Sequence, residues 1–157
     1  TGLLAMNTLL ATGDTPLPPG LLNWRDWCAS HPAYDIARLM ARGNPQLSAA
    51  ERAAYTAPFP DIGHRAATRA FPRLVPEHPH DDGAAISRSA RAFWRHRWQG
   101  RCMMVVGIKD PLIGITAMER LHANLHNCSE LIQLEHVEHG FPSRCIDIAE
   151  RAILRFR

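Results

Sequence analysis

Long apolar runs and strong charge imbalance are both missing from this chain of 157 residues. No apolar stretch approaches the roughly 20 residues that a transmembrane helix needs, and no signal peptide is recognisable, because the first residues have no basic region. The net charge of +3 is small and implies neither a nucleic acid nor a membrane as a partner. With 46% hydrophobic and 21% charged residues, the composition is typical of one soluble globular domain.

Cysteine is scarce and widely spaced. Cys28, Cys102, Cys128 and Cys145 include no C-x-x-C pair, and we interpret them as free thiols in a reducing compartment, which predicts a cytoplasmic protein. The chain also begins at Thr1 instead of an initiator methionine, and it continues directly into an apolar run. That start predicts that the sequence is a fragment of a longer protein.

Apolar runs and turn-forming segments divide the chain into an α/β core and a helical insertion. Short apolar runs predict parallel strands at Leu3–Asn7, Cys102–Val106 and Leu131–Glu135. The segments ATGDTPLPPG and VPEHPHDDG predict linkers on either side of a helical layer. We therefore predict an α/β fold with a strand and its exit at 1–13, an all-helical domain at 14–81, and an α/β part with the last two strands at 82–157.

Capping signals predict where the helices begin. Ser48 with Glu51 forms one predicted capping box, and Thr116 with Glu119 forms another. Asp82 is predicted to start a longer helix. The last helix is expected to begin at Ser143 and to have one apolar face, formed by Ile146, Ala149, Ile153 and Phe156.

Two polar residues follow consecutive predicted strands. Asp110, in GIKDPLIG, comes just after one strand, and His139 comes just after the next. The carboxyl ends of parallel strands open onto one edge of a sheet, where α/β proteins place catalytic groups. A carboxylate bound to one ring nitrogen fixes the tautomer of an imidazole and leaves the other nitrogen as a base. The pattern predicts an acid–base pair, while a turn aspartate and a solvated histidine would give the same spacing.

Five segments, in order and with compatible spacing, connect the chain to a known enzyme family. They are NWRDW, LSAAERAAYTAPFPD, RAFPRLVP, WQGRCMMVVGIKDPLIG, and EHGF with IAERAILRF. Together they resemble the haloalkane dehalogenases of the α/β-hydrolase superfamily, and in particular the branch with the enzyme that degrades 1,2-dichloroethane. The resemblance implies the C-terminal part of an α/β-hydrolase fold with an inserted helical cap. It also implies a small haloalkane, water and a halide ion as partners, no cofactor, and a full-length monomer.

The resemblance assigns roles by position. In the family an Asp nucleophile displaces the halide and forms an alkyl-enzyme ester, which a His-activated water hydrolyses to an alcohol. Asp110 matches the triad acid, His139 matches the base, and Trp24 matches the indole that binds the halide. Asn7 falls near the position of the acid in other branches, so its uncharged amide leaves Asp110 as the acid. The substrate-pocket positions match Leu21 (where an aromatic residue is usual), Phe71, Pro72, Val75, Leu112 and Ile113.

Two features depart from the family pattern. No G-x-D-x-G or G-x-S-x-G elbow occurs in the chain, so the nucleophile is expected outside it. The segment around the base reads Glu138-His139-Gly140-Phe141 instead of Gly-His-Phe, and His136 is a rival base. The alternative interpretations are an esterase or epoxide hydrolase of the same superfamily, and an inactive fragment.

Two further patterns carry less weight. His122, His126 and Cys128 have metal-ligand chemistry, but the chain has no H-E-x-x-H and we predict no metal site. RSARAFWRHRWQGR interleaves arginine with aromatic residues, as some single-strand nucleic-acid binders do. Helical spacing favours an amphipathic core helix instead. We expect the remaining tryptophans to be packing residues, namely Trp27, Trp94 and Trp98.

Overall fold

The computed structural model describes residues 2–140 and 145–157 of the chain. Helices and strands alternate from residue 84 onwards, and every regular element between residues 14 and 81 is helical. In chain order the elements are β1 (Gly2–Met6), α1 (Pro19–Ser30), α2 (Ile36–Gly43), α3 (Ala49–Thr56), α4 (Ala66–Ala70), a 3₁₀ helix (Phe71–Leu74), α5 (Ala84–His96), β2 (Arg101–Gly107), α6 (Gly114–His122), β3 (Cys128–Leu134) and α7 (Ile146–Phe156).

The three strands form one parallel sheet in the order β1-β2-β3. β1 pairs with β2 so that Leu3 lies opposite Cys102, and β2 pairs with β3 so that Val105 lies opposite Ile132. β2 is the central strand, and it is buried from Cys102 to Gly107. A strand covered on both faces requires a continuous apolar run, which explains the segment CMMVV. The predicted α/β fold with parallel strands is confirmed.

Alternate side chains of β2 enter two separate hydrophobic cores. Met104 packs on one face of the sheet with Met118 of α6. Val105 packs on the other face with Ile148 of α7. Because successive strand residues point to opposite faces, one apolar run supplies both cores. The helices α6 and α7 therefore cover opposite faces of the sheet, which lies between them.

The helical insertion begins after the exit from β1. α1 contacts α4 and the 3₁₀ helix, and α2 contacts α3. The capping box predicted for α3 is confirmed: Ser48 Oγ accepts from the Glu51 N–H at 3.2 Å, and the Glu51 carboxylate accepts from the Ser48 N–H at 2.8 Å. None of the helices in the described part of the chain has the length and apolar character needed to span a bilayer.

The predicted start of α5 at Asp82 is wrong. The helix begins at Ala84, after Gly83, whose φ of 83° is left-handed and favours glycine. The carboxylate of Asp81, and not that of Asp82, accepts the N–H groups of Glu77 and His78. These bonds close the turn before the helix. Adjacent aspartates compete for such a role, and composition does not distinguish them.

The predicted capping box at Thr116 is also wrong. α6 begins at Gly114, two residues earlier, and Thr116 lies within the helix. The N–H groups just before the helix, those of Leu112 and Ile113, donate to the Asp110 carboxylate instead. The side chain that stabilises this turn is therefore the predicted triad acid.

The apolar face predicted for α7 is wrong except at Phe156, which packs against the core, and the predicted start at Ser143 lies outside the described residues. Ile148 and Ala152 are buried against the sheet at 2% and 4% exposure, whereas Ile146 and Ile153 are 76% and 54% exposed. Both sets follow helical spacing, so periodicity alone does not select between them. The side on which the sheet lies makes that selection.

Candidate active site

The carboxyl ends of the three strands carry three polar side chains, of which the middle one, Asp110, contacts the other two. Asn7 follows β1, Asp110 follows β2 and His139 follows β3. Asp110 Oδ2 lies 2.8 Å from His139 Nδ1 and 2.8 Å from Asn7 Nδ2. The structure thus brings together the carboxylate and the imidazole that the sequence pairs. The rival base, His136, is exposed, and the described residues show no hydrogen bond or ion pair between it and Asp110.

The Asp110 carboxylate is buried and accepts four hydrogen bonds. The residue is 7% exposed. Its Oδ1 accepts the N–H groups of Leu112 at 2.7 Å and Ile113 at 3.2 Å, while Oδ2 accepts from Asn7 and His139. Burial would raise the pKa of Asp110, but the hydrogen bonds from His139 and the backbone outweigh burial and hold this pKa below its ordinary value. The group therefore stays ionised at neutral pH.

The ionised carboxylate determines which nitrogen of His139 carries the proton. A carboxylate only accepts hydrogen bonds, so Nδ1–H is the donor to Asp110 and Nε2 of the neutral ring keeps its lone pair. The side chain of His139 is 43% exposed, whereas that of Asp110 is fully buried. An accessible basic nitrogen backed by a buried anion is the arrangement that a general base requires.

Backbone contacts join the loop of the acid to the loop of the base. The Lys109 N–H donates to the Val137 carbonyl at 3.1 Å. A Cβ at Gly107 would fall on that same carbonyl, so glycine is required for the two loops to approach this closely. The separation of Asp110 and His139 is therefore fixed by the backbone as well as by their side chains.

The loop of the base also touches the helical insertion. Asn44, which directly follows the last residue of α2, is 4% exposed. A Cβ at Gly140 would collide with the side-chain amide of Asn44. The end of α2 and the loop that follows His139 are consequently in direct contact. Phe141, the last residue of the predicted EHGF segment, lies outside the described residues.

Helix α1 carries Trp24 and rests on the loop of the acid. A Cβ at Gly20 would fall on the Pro111 carbonyl, so the backbones of α1 and the acid loop are in contact. Trp24 is four residues further along, on the same face of the helix. The half-buried Trp24 ring stacks on Trp27 with centroids 5.2 Å apart.

The six predicted pocket residues lie on three segments that border this region. Leu112 and Ile113 are half-buried and bonded to Asp110 through their N–H groups. Leu21 on α1 is buried, as is Pro72 on the 3₁₀ helix, and Val75 after it is half-buried. Phe71 differs from the others because it is 70% exposed. Five of these residues are therefore at least half-buried, and Phe71 is largely exposed.

Arg25 is an organising residue that the sequence analysis missed. It adjoins Trp24, and its guanidinium donates to the Pro72 carbonyl at 3.1 Å, the Val75 carbonyl at 2.8 Å and the Glu77 carboxylate at 2.6 Å. These bonds hold the segment with three predicted pocket residues, namely Phe71, Pro72 and Val75, against α1. An arginine in an amphipathic helix is common, so the sequence contains no signal for this contact.

The segment RSARAFWRHRWQGR, which interleaves arginine with aromatic residues, makes contacts within the protein. Arg91 pairs with Asp14 at 2.7 Å, and Arg88 donates to the Thr12 carbonyl at 3.0 Å, so these arginines of α5 bind the exit from β1. The aromatic rings of the same segment pack on one another: Trp94 lies 5.4 Å from Phe93 and 4.9 Å from Trp98, by ring centroids. All four cysteines are free. Among the described residues, no three His, Cys, Asp or Glu side chains converge as metal ligands.

A parallel sheet with an acid and a base at its carboxyl edge and an all-helical insertion after β1 defines the chain as the C-terminal part of an α/β hydrolase. Over 99% of its length it superposes on 52% of the tetrameric haloalkane dehalogenase DpaA from Paraglaciecola agarilytica, with a TM-score of 0.91 and 27% identity. A hydrolase of a different kind, BphD from Rhodococcus, shares the fold with a TM-score of 0.59 and 15% identity.

The sequence is similar to haloalkane dehalogenases as well. It is 34% identical over 115 residues to the haloalkane dehalogenase of Mycolicibacterium paratuberculosis, a match that covers 71% of this chain and 37% of the relative. It is 38% identical over 107 residues to haloalkane dehalogenase 1 of Mycobacterium tuberculosis, covering 66% of this chain and 34% of the relative. No family model matches the chain.

The chain is therefore similar to the haloalkane dehalogenases in both sequence and structure, as the resemblance indicated, and it has the fold of the α/β-hydrolase superfamily. It spans just over a third of the length of the relatives that it matches in sequence and about half of the solved relative. The branch within the family, the limits of the cap and the monomeric state of the full-length protein stay predictions.

Proposed function

We propose that the full protein is a hydrolytic haloalkane dehalogenase, to which this chain contributes the base, the acid, a halide-binding indole and the cap. The observation that carries the proposal is the 2.8 Å contact between His139 and Asp110 at the carboxyl edge of the sheet. It occurs in a chain that is 34% identical to a haloalkane dehalogenase over 71% of its length. The four free thiols support a reducing compartment, and we propose the cytoplasm.

The reaction has two covalent steps. A carboxylate nucleophile supplied from outside this chain displaces the halide and forms an alkyl ester, which divides one difficult reaction into two easier ones. His139 Nε2 then takes a proton from water, and the resulting hydroxide attacks the ester to release the alcohol. Asp110 stabilises the imidazolium formed in that second step. The base is thus needed for hydrolysis of the ester and not for its formation.

Trp24 is the proposed halide ligand within this chain. An indole N–H donates a hydrogen bond and cannot accept one, so it favours an anion over a neutral halogen. The surrounding predicted pocket residues are apolar: Leu21, Phe71, Pro72, Val75, Leu112 and Ile113. In a pocket of low polarity, a fixed donor stabilises the charge that develops on the leaving group more strongly than it would in water.

The separate steps provide the test. In the complete protein, His139→Gln should release about one halide per active site in a rapid burst and then stop, because the ester forms but is not hydrolysed. The burst is measured by stopped-flow halide detection with a short bromoalkane, and the trapped ester by the mass of the intact protein.

His136→Gln is the matched control, because it removes an exposed imidazole of the same loop. It should retain steady turnover. Steady turnover by His139→Gln together with a burst by His136→Gln would assign the base to His136. Release of an alcohol from an ester or a diol from an epoxide, with no halide from any haloalkane, would contradict the proposed function.

A further inference from the structure

Asn7 has an unusual backbone conformation for a buried residue. Its φ is 38°, and it is the one non-glycine residue with a positive φ among residues 2–140 and 145–157. It is 5% exposed. Asparagine tolerates the left-handed region better than most residues, but such a conformation persists only where the surrounding contacts determine it. The contacts of the side chain show what this conformation achieves.

The side-chain amide of Asn7 connects three separate segments. Its Oδ1 accepts the Gly107 N–H at the end of β2, at 2.8 Å. Its Nδ2 donates to Asp110 Oδ2 at 2.8 Å and to the Glu138 carbonyl at 3.3 Å. Glu138 directly precedes His139 in the chain. One amide therefore bonds to the strand that leads to the acid, to the acid itself, and to the backbone beside the base.

The bond from Asn7 to Asp110 selects one orientation of the carboxylate. Oδ1 of Asp110 is held by the N–H groups of Leu112 and Ile113, and Oδ2 is held by Asn7 and His139. Without the Asn7 donor, the carboxylate could rotate about its last bond and weaken its contact with the imidazole. A need to satisfy the Gly107 N–H alone would not require an amide, because a carboxylate or hydroxyl oxygen would accept that bond equally well.

We propose that Asn7 is a positioning residue for the reaction, which fixes the orientation of Asp110 and its register with the loop of His139. The expected effect of Asn7 on kcat rests on the proposed function. Its expected effect on the Asp110–His139 hydrogen bond does not, because that bond is a feature of the structure. Asn7 does not touch the reacting atoms and acts through these two residues. A misplacement of about 1 Å at this distance from the chemistry reduces a rate by about 10²-fold.

Two variants separate the amide donor from the backbone conformation. Asn7→Gly removes the side chain and relieves the left-handed backbone. Asn7→Ala removes the amide but keeps a side chain at the positive φ, so it retains the unfavourable backbone conformation. Thr12→Val is the matched control: Thr12 is a 2% exposed residue of the same exit segment whose hydroxyl accepts from Arg91 at 3.2 Å, and no hydrogen bond in the described part of the chain joins its side chain to Asp110 or His139.

The measurements are made on the complete protein. Both Asn7 variants should reduce kcat for halide release about 10²-fold with little change in KM, whereas Thr12→Val should keep the kcat of the unmodified protein. The downfield proton resonance of His139 Nδ1, assigned by its loss in His139→Gln, should weaken or shift in both Asn7 variants and not in Thr12→Val. Circular dichroism identifies any variant that fails to fold.

Unchanged kcat and an unchanged Nδ1 resonance in a folded Asn7→Ala or Asn7→Gly protein would overturn the proposal. If the unmodified protein releases no halide, the proposed function fails, and the resonance alone decides the role of Asn7. In that case a preserved resonance contradicts the positioning role, and a lost resonance supports it.

Discussion

Asp110 has two structural roles, because the same carboxylate orients His139 and stabilises the turn before α6. Its Oδ1 accepts two backbone N–H groups of that turn, while its Oδ2 contacts the imidazole. The turn holds Oδ1 in place while Asn7 and His139 hold Oδ2, so the orientation of the carboxylate depends on both sets of contacts. The turn that replaces the cap predicted at Thr116 therefore contributes to the orientation of the acid.

The stability of the protein should depend on pH through Asp110. Because hydrogen bonds in the folded protein hold the pKa of Asp110 below its ordinary value, folding favours the ionised form. This stabilisation is fully present above the pKa that the group has in the unfolded chain and is lost as the pH falls through the lower folded pKa. Asp110→Asn should therefore reduce the free energy of unfolding by about 1.5–3 kcal/mol around pH 7 and by much less at about pH 2.

Urea denaturation of the complete protein over a pH series measures this difference. Asp26→Asn serves as the control, because Asp26 is exposed on α1 and far in sequence from the loop of the acid. It should change the free energy of unfolding little at either pH. An equal loss of stability for Asp110→Asn at neutral and acidic pH would show that shape, and not ionisation, determines the effect.

At the scale of elements, the contact between α1 and the loop of the acid is made by backbone at Gly20. Any side chain there would fall on the Pro111 carbonyl, and backbone cannot move away as a flexible side chain would. Gly20→Ala should therefore reduce the free energy of unfolding by about 1–3 kcal/mol, as overpacking does, and increase KM by lifting α1 from the acid loop. Thermal unfolding and steady-state halide release are the measurements.

Gly43→Ala is the matched control for this prediction. Gly43 is the last residue of α2, and a Cβ there meets nothing within 4 Å. The substitution should stabilise the protein by about 0.5–1 kcal/mol, since alanine loses less conformational freedom than glycine in a helix. Similar destabilisation by both substitutions would indicate that helix propensity, and not the contact with Pro111, controls the result.

Strands were predictable from the sequence and helix faces were not, for physical reasons. The run Cys102–Val106 is apolar without interruption, and only burial on both faces explains such a run. By contrast, α7 offers two apolar sets with helical spacing, and the sheet selects Ile148 and Ala152. The helix start at Ala84 was not predictable either. Asp81 and Asp82 are neighbours of the same kind, and only the local hydrogen bonds show that Asp81 closes the turn before the helix.

At the scale of the whole molecule, the site exists only in the folded chain. Asn7 lies 103 residues from Asp110 and 131 residues from Glu138 in sequence, yet its amide bonds to both. The pairing of Asp110 with His139 was predictable because parallel strands deliver their carboxyl ends to one edge. The roles of Asn7, Arg25 and Gly20 were not, because each depends on a contact between segments that no local pattern encodes.

These 157 residues by themselves should not turn over haloalkanes. The chain contains a base and an acid in contact, but it has no G-x-D-x-G or G-x-S-x-G elbow to present a nucleophile. Water activated by His139 has no ester to attack unless a nucleophile has first displaced the halide. The purified chain should release no halide above the rate of buffer, measured with a halide-sensitive dye, while the complete protein in the same assay serves as the positive control. Sustained release by the chain alone would show that one of its own side chains performs the displacement, and the mass of the protein after incubation would identify that residue.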